Sequence, residues 1–337
     1  MKKIQNLTAA LLAAALLAGC AAPAALETPS PQTAQTAQDD KLHIVTTIFP
    51  VYDWVREVVG PEGDAVELTM LLDGGTDLHS YQPAAQDMVE IADCDLFVYV
   101  GGESDAWVAD ALQESPNPDR KVLNLMELLG TRVYEEETVE GMEAEDHDHE
   151  EGEEHAADEH IWTSLRNAAE LSSAIADALA ELDPANAARY TANAAAYGEK
   201  LTALDGEYAA MVEAAPVKTV LFGDRFPFRY LVEDYALTYY AAFPGCSADT
   251  EASFETVAFL ADKTAELDLP VVLTIEGSDG KIARTIVQSA GGDRAVLTLD
   301  SMQATTAADA AAGASYLGCM EQNLTVLRQA LGAEEGA

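Results

Sequence analysis

Residues 41–71, KLHIVTTIFPVYDWVREVVGPEGDAVELTML, contain the pattern that decides the fold. Short apolar runs that indicate strands alternate here with longer segments that indicate helices. The first predicted helix has a proline at its start. The alternation continues downstream. The predicted strands cover residues 42–47, 65–71, 96–100 and 121–124, and the predicted helices cover residues 50–59 and 84–92. Strands separated by helices predict a mainly parallel sheet with right-handed crossovers.

A long helical segment separates this region from a second strand-helix series. Residues 184–215 carry apolar side chains at three- and four-residue steps, which predicts an amphipathic helix with Asp183 as N-cap and Pro184 at its first position. Beyond it, strands are predicted over residues 219–222, 237–242, 271–275 and 295–299, and helices over residues 226–234, 254–267, 281–290 and 307–331. The predicted fold class is therefore α/β: two lobes, residues 41–183 and 216–337, each a mainly parallel sheet flanked by helices, joined by one long rigid helix.

The first forty residues predict export and a membrane anchor. A short basic start precedes an apolar run at residues 7–18, which is too short to span a bilayer. The run ends in Leu17-Ala18-Gly19-Cys20, which resembles a bacterial lipobox and implies a signal peptide at residues 1–19 and acylation of Cys20. Residues 20–40, rich in Ala, Pro, Thr and Gln, are predicted to form a flexible tether. An ordinary signal peptide with a chance cysteine is the alternative.

The charge balance is strongly acidic, with 59 Asp and Glu against 18 Lys and Arg and a formal net charge of −41. Such a surface repels phosphate backbones, so nucleic acid is not expected as a partner, whereas a cationic ligand fits the sign. Many acids lie in residues 135–159, a low-complexity loop that is predicted to be disordered. Its His147, His149 and His155 are predicted to form an auxiliary site for weak metal capture.

The four cysteines do not form a recognisable framework. If Cys20 is acylated, Cys94, Cys246 and Cys319 remain, and an odd number of thiols cannot pair completely. No C-x-x-C or zinc-ribbon spacing occurs. A disulfide between Cys246 and Cys319 and a pair of buried free thiols are both compatible with the sequence.

Two histidine motifs carry a family resemblance. His79 lies in GTDLHSYQP at residues 75–83, just after a predicted strand, and ligands of open α/β sheets bind at the carboxyl ends of strands. His160 lies in DEHIW at residues 158–162, and VYVGGE at residues 98–103 lies between the two motifs. With these motifs in this order, residues 41–331 resemble the metal-binding solute receptors of zinc and manganese ABC importers. The resemblance implies that His79 and His160 are metal ligands.

The resemblance also implies two further ligands, from the second lobe. The family's third ligand, usually His or Glu, corresponds to Asp224 in FGDRFPFRY at residues 222–230, which departs from both common patterns. The fourth, an acid after the last strand, corresponds to Asp300 in TLDSM. Arg225 and Glu251 are candidates for groups that support these ligands. Two imidazoles with two carboxylates suit zinc or manganese, and two negative charges neutralise a divalent cation.

The sequence thus predicts a monomeric transport receptor, not an enzyme, that captures zinc and delivers it to the permease of an ABC importer. Manganese is the alternative cargo, because two carboxylates give an oxygen-rich shell, while the affinity order and the histidine-bearing loop favour zinc. An extracytoplasmic zinc hydrolase is an alternative of another class, which would need an open coordination position and a general base. A surface adhesin is a further alternative, for which no residue gives independent support.

Overall fold

The computed structural model describes residues 41–61, 63, 65–113, 117–143, 156–247 and 251–333. The first sheet is four-stranded and parallel, in the order β2-β1-β3-β4. Its strands are β1 (Leu42–Thr46), β2 (Val66–Met70), β3 (Leu96–Tyr99) and β4 (Lys121–Asn124). The order reverses between β1 and β3, so the carboxyl ends of these two strands border the crevice in which ligands of open α/β sheets bind.

Helices cover this sheet because their apolar side chains recur at helical spacing. In the first of them Val51, Val55 and Val58 lie on one face and are fully buried. The helices of this half of the chain are α1 (Phe49–Val59), α2 (Ala85–Asp93), α3 (Val108–Ala111), α4 (Leu125–Leu129) and α5 (Leu165–Leu182). The long helix α6 (Ala187–Ala214) follows, and its 28 residues span about 42 Å.

The second sheet repeats the topology of the first. It is parallel with the order β6-β5-β7-β8, and its strands are β5 (Thr219–Arg225), β6 (Thr238–Phe243), β7 (Val271–Ile275) and β8 (Ala295–Leu299). Its helices are α7 (Arg229–Asp234), α8 (Phe254–Glu266), α9 (Lys281–Ala290), α10 (Ala307–Ala311) and α11 (Tyr316–Ala330). The predicted α/β class, with two parallel sheets flanked by helices and a long helix between them, is confirmed.

Three predicted helix boundaries are wrong, and one of them is the start of α7, which lies at Arg229 rather than at residue 226. Helix α6 begins at Ala187, because Asp183 instead ends α5 and accepts hydrogen bonds from Asn186 and from the Tyr190 hydroxyl. The single helix predicted over residues 307–331 is divided into α10 and α11. The chain turns between them at Gly313, whose φ of 107° disfavours a side chain.

Direct hydrogen bonds join the two halves of the molecule. The Ala307 backbone N–H donates to the Asp73 carbonyl at 2.9 Å, and the buried Trp162 indole N–H donates to the Ser301 carbonyl at 2.7 Å. These bonds fix the end of the first half, around Trp162, against the loop that follows β8. None of the helices in the described part of the chain is both long and apolar enough to cross a bilayer.

The predicted disorder of residues 135–159 is not found at either end of that loop. Residues 135–143 are here called the crossing segment. At its start, Glu135 forms an antiparallel bridge with Ala157. At its end, it reaches the second sheet, where the Glu143 N–H donates to the Ala242 carbonyl at 2.9 Å. Acidic composition alone predicted disorder, but these acids have partners. Glu137, for example, pairs with Arg229 and accepts from the Tyr239 hydroxyl. His147, His149 and His155 lie outside the described residues, as does Cys20.

Candidate metal centre

His79 is held by the turn that follows β2. It lies in a short 3-10 turn, Leu78–Ser80, whose N-cap Asp77 accepts the His79 backbone N–H through Oδ1 at 3.0 Å. Only 11% of its side chain is exposed. Its Nδ1 lies 2.8 Å from the Ser104 hydroxyl, on the loop after β3. The turn and the hydroxyl together fix the ring so that Nε2 is directed away from both.

His160 is fully buried where the chain enters α5. It precedes the 3-10 turn Ile161–Thr163, and Asp158 Oδ1 accepts both its backbone N–H at 2.9 Å and its Nδ1–H at 3.0 Å. Burial disfavours the charged imidazolium, but the nearby carboxylates, Asp158 foremost, together outweigh burial and raise the pKa of His160. The same carboxylate leaves Nε2 as the free nitrogen of the neutral ring.

The two imidazoles converge on one point. Their Nε2 atoms are 3.1 Å apart. Two nitrogens bound to one tetrahedral zinc at 2.0–2.1 Å would be about 3.4 Å apart, so a small adjustment suffices to place a metal between them. Burial, and then the charge of His160, lowers the pKa of His79 to about 3. The two rings therefore do not carry charge together, and both can offer lone pairs to a cation only when neutral.

A third potential ligand comes from the second half of the chain. Cys246 follows β6 through Pro244 and Gly245, and its Sγ lies within 4.8 Å of one ring nitrogen of each histidine. Gly245 permits this approach, because a Cβ there would lie 2.8 Å from the Phe226 carbonyl oxygen and 3.0 Å from Cε1 of His160. Burial, and then the charge of Glu136, raises the pKa of the Cys246 thiol.

Charged groups surround the three side chains. Arg225 Nη2 lies 2.5 Å from Asp77 Oδ2, so the arginine of the second lobe pairs with the residue that caps the His79 turn. Burial opposes the charge of Asp77, but Arg225 and His79 together outweigh burial and lower the pKa of this carboxyl. Glu159, 2% exposed, accepts the Ser104 N–H at 2.8 Å and places Oε2 3.6 Å from His79 Nδ1. Burial raises the pKa of Glu159.

The structure does not bring Asp224 and Asp300 into this cluster. Among the described residues, His79, His160 and Cys246 form the one group of three potential ligands. Asp224 lies within β5 rather than after it, and its Oδ1 accepts the N–H of the next residue, Arg225. The strand is longer than predicted, which takes this position out of the loop.

Asp300 does follow β8, as predicted, but its carboxylate faces elsewhere. Oδ1 accepts the Met302 N–H at 2.7 Å, and the residue lines a cavity of about 390 Å³ together with Glu276, Asp309 and Cys319. Burial, and then the charge of Glu276, raises the pKa of Asp300 to about 6. This cavity is separate from the group formed by the two histidines and Cys246.

Of the two supporting residues, Arg225 contacts the His79 turn, whereas Glu251 is exposed and lies outside the cluster. Cys246 was not among the predicted ligands, because the sequence suggested only a disulfide with Cys319 or a buried free thiol at this position. Cys246 and Cys319 are both free. The position of Cys246 after a strand could have identified it as a candidate ligand. That strand neighbours β5 in the second sheet, so Cys246 lies at the edge where the other ligands were expected.

Two α/β lobes joined by a long helix, with paired imidazoles at their junction, define a two-lobed protein with a candidate metal site. The chain belongs to the family described as the periplasmic component A of the zinc-uptake complex, ZnuA, which matches residues 44–330. It is 34% identical over 332 residues to the zinc-binding lipoprotein AdcA of Streptococcus pneumoniae serotype 4, covering 98% of this chain and 61% of that protein. The chain thus spans about three fifths of the length of this relative.

Other relatives match over nearly their whole length. The high-affinity zinc uptake system protein ZnuA of Bacillus subtilis is 29% identical over 301 residues, which cover 88% of this chain and 89% of that protein. Among solved structures, the Zn(II)-bound ZnuA-like domain of Streptococcus pneumoniae AdcA is 30% identical with a TM-score of 0.67, covering 86% of this chain and 99% of that one. The metal-dependent lipoprotein YcdH from Bacillus subtilis is 26% identical with a TM-score of 0.70, covering 86% and 100%.

Proposed function

We propose that this protein captures Zn²⁺ outside the cytoplasm and delivers it to the permease of an ABC importer. The observation that carries the proposal is the convergence of His79 Nε2 and His160 Nε2, 3.1 Å apart, at the junction of the two lobes. The relatives named as zinc-binding and zinc-uptake proteins support zinc as the cargo.

The hydrogen bonds on the far side of each ring prepare the pair for a cation. Metal-bound histidines usually donate the other ring N–H to a carboxylate or another oxygen, which fixes the tautomer and the ring orientation. Asp158 serves His160 in this way, and the Ser104 hydroxyl serves His79. Both Nε2 lone pairs are then directed at the same point, and imidazole nitrogen suits zinc better than it suits manganese.

A hydrolytic role has less support. A zinc hydrolase needs a general base on the metal-facing side of its ligands, next to an open coordination position. Two carboxylates beside the rings lie on their Nδ1 sides: Asp158 accepts from His160 Nδ1, and Glu159 Oε2 lies 3.6 Å from His79 Nδ1. Neither carboxylate is therefore placed to activate a water on the Nε2 side. The arrangement favours holding a metal ion over using it for catalysis.

The location is part of the proposal. The lipobox-like Leu17-Ala18-Gly19-Cys20 and the relatives named lipoproteins support a chain anchored to the cell membrane through Cys20. In this arrangement residues 20–40 tether the two lobes near the permease. We further expect the protein to act as a monomer and to bind no nucleic acid.

Titration of the metal-free protein with zinc tests the proposal. His79→Ala and His160→Ala should each raise the Kd for zinc at least about tenfold, or 1.4 kcal/mol, because each removes a ligand. His43→Ala is the matched control, since His43 is half-buried on β1 and pairs with Glu90 away from the site. Wild-type affinity in both site variants would overturn the assignment, and so would a wild-type protein that does not bind zinc.

A further inference from the structure

The third potential ligand beside the two imidazoles is a thiol rather than a carboxylate. The family pattern pointed to Asp224, which lies within β5 and outside the cluster, and the neighbouring Arg225 is a cation that pairs with Asp77. An arginine cannot bind a metal cation, because guanidinium has no free lone pair to offer. Cys246 is the residue that completes the group with the two histidines.

The backbone around Cys246 is held in place for this contact. The Cys246 N–H donates to Glu136 Oε1 at 3.0 Å, so the crossing segment fixes the residue from one side. On the other side, Gly245 lets the chain pass directly against the His160 ring. Since β6 neighbours β5, the turn after β6 opens at the same edge of the sheet as Arg225, which contacts the His79 turn.

We propose that the Cys246 thiolate is the third ligand of the metal and that it sets a preference for zinc over manganese. This inference rests on the proposed function. Thiolate is a soft ligand that binds zinc at about 2.3 Å, whereas manganese suits carboxylate, carbonyl and water oxygens. Two imidazoles and one thiolate form a shell that is typical of zinc, unlike the shell of two imidazoles and two carboxylates that the sequence predicted.

The ligand set has a spectroscopic signature. Cobalt(II) is the probe, because it adopts tetrahedral zinc sites and thiolate ligation gives it an intense near-ultraviolet charge-transfer band. The full-length protein in detergent, loaded with cobalt(II), should show this band. Cys246→Ser should lose it, and Cys319→Ser should keep it, because Cys319 is also a free, half-buried thiol but lines the separate Asp300 cavity.

Affinity gives the second readout. Cys246→Ser should raise the Kd for zinc at least about tenfold, or 1.4 kcal/mol, and change the Kd for manganese less, so that the preference for zinc falls. X-ray absorption of the zinc-loaded wild type requires no variant and should find a sulfur neighbour at about 2.3 Å.

The outcomes separate this inference from the proposed function. Tight zinc binding by the wild type, with no sulfur neighbour of the metal and no charge-transfer band, would overturn the role of Cys246 and leave the receptor intact. Zinc affinity in Cys246→Ser equal to that of the wild type would do the same. Failure of the wild type to bind zinc would overturn the proposed function itself.

Discussion

At the scale of single residues, the oxygens that contact the two Nδ1 atoms orient the imidazoles. Asp158 accepts two hydrogen bonds from His160 and leaves that ring one free nitrogen. His79 has a weaker partner in the Ser104 hydroxyl, and the loop that carries Ser104 is fixed in turn by Glu159. The orientation of each proposed ligand therefore depends on a neighbour that is not itself a proposed ligand.

We expect Asp158→Ala to weaken zinc binding about 10- to 100-fold, the usual effect of removing an oxygen that orients a metal-bound histidine. The reason is that the fully buried His160 ring loses the acceptor that fixes its tautomer. Titration with zinc measures the change, with Asp177→Ala on the exposed face of α5 as the control. If Asp158→Ala folds and binds zinc as the wild type does, the orienting role is wrong.

Asp300 should make stability depend on pH. The pKa of Asp300 is raised from 3.8 to about 6 in the folded protein. The folded state then holds this proton more tightly than the unfolded state does, so the free energy of unfolding falls as pH rises from about 4 to about 6 and levels off above. In metal-free protein, Asp300→Asn should be more stable than the wild type at pH 8, by up to about 3 kcal/mol, and similar at pH 4.

Urea denaturation at the two pH values checks this prediction. Asp262→Asn, at an exposed position of α8, is the control and should change stability by less than about 0.5 kcal/mol at either pH. A difference between Asp300→Asn and the wild type that is the same at pH 4 and pH 8 would show that the carboxyl is not perturbed. If Asp300→Asn reduces the zinc affinity tenfold or more, Asp300 is a metal ligand after all.

At the scale of elements, the crossing segment links the first lobe to the third ligand position. It reaches the second sheet through the Glu143 N–H and the Ala242 carbonyl, and on the way Glu136 accepts the Cys246 N–H. Residues 135–143 therefore form one wall of the candidate metal centre.

Glu136→Ala should raise the Kd for zinc by about tenfold, because a hydrogen bond to a charged group contributes about 1.5 kcal/mol or more and here positions Cys246. Glu136→Gln retains an acceptor, so its Kd for zinc should lie between those of Glu136→Ala and the wild type. Glu140→Ala, exposed in the same segment, is the control. Equal affinities in all four proteins would remove the crossing segment from the site.

The elements were predictable to different degrees. Strands β4, β7 and β8 begin and end where the sequence places them, because short apolar runs between turn residues leave little choice. The start of α6 was not predictable from local signals alone. Asp183 and Pro184 look like the start of a helix, and only the contacts of Asp183 with Asn186 and Tyr190 show that they form the turn before it.

The residues of the candidate site were also predictable to different degrees. His79 and His160 lie in motifs whose residues are contiguous in sequence, so a pattern identifies them. Cys246 lies in no motif, and its proximity to the histidines depends on the order of strands in the second sheet and on the space that Gly245 leaves. The strand order and this space are features of the tertiary structure, which no contiguous stretch of sequence contains. The length of β5, which places Asp224 within the strand, is likewise set by pairing with β6.

At the scale of the whole molecule, two sheets of the same topology face a shared junction. Bonds such as Trp162 to Ser301 and Arg225 to Asp77 join the lobes on either side of the histidines. A metal bound by the proposed ligands His79, His160 and Cys246 would be held by groups from both lobes. Any separation of the lobes would therefore pull Cys246 away from the two histidines.

The anchor belongs to this scale as well. Cys20→Ser should release the protein from the membrane fraction, because the proposed acyl chains attach at that residue and at its amino group. Zinc affinity of the released protein should equal that of the wild type, since Cys20 takes no part in the proposed site. Fractionation of cells followed by zinc titration measures both. Continued membrane attachment of Cys20→Ser would contradict lipidation there.

The central claim is that this chain captures zinc at His79 and His160. Metal analysis of the full-length protein, isolated from cells without added metal and then exposed to competing manganese, tests it most directly. We predict about one zinc ion per chain, retained against manganese, and loss of this zinc in the double variant His79→Ala, His160→Ala. Recovery of manganese from the wild type, or a full complement of zinc in the double variant, would contradict the account.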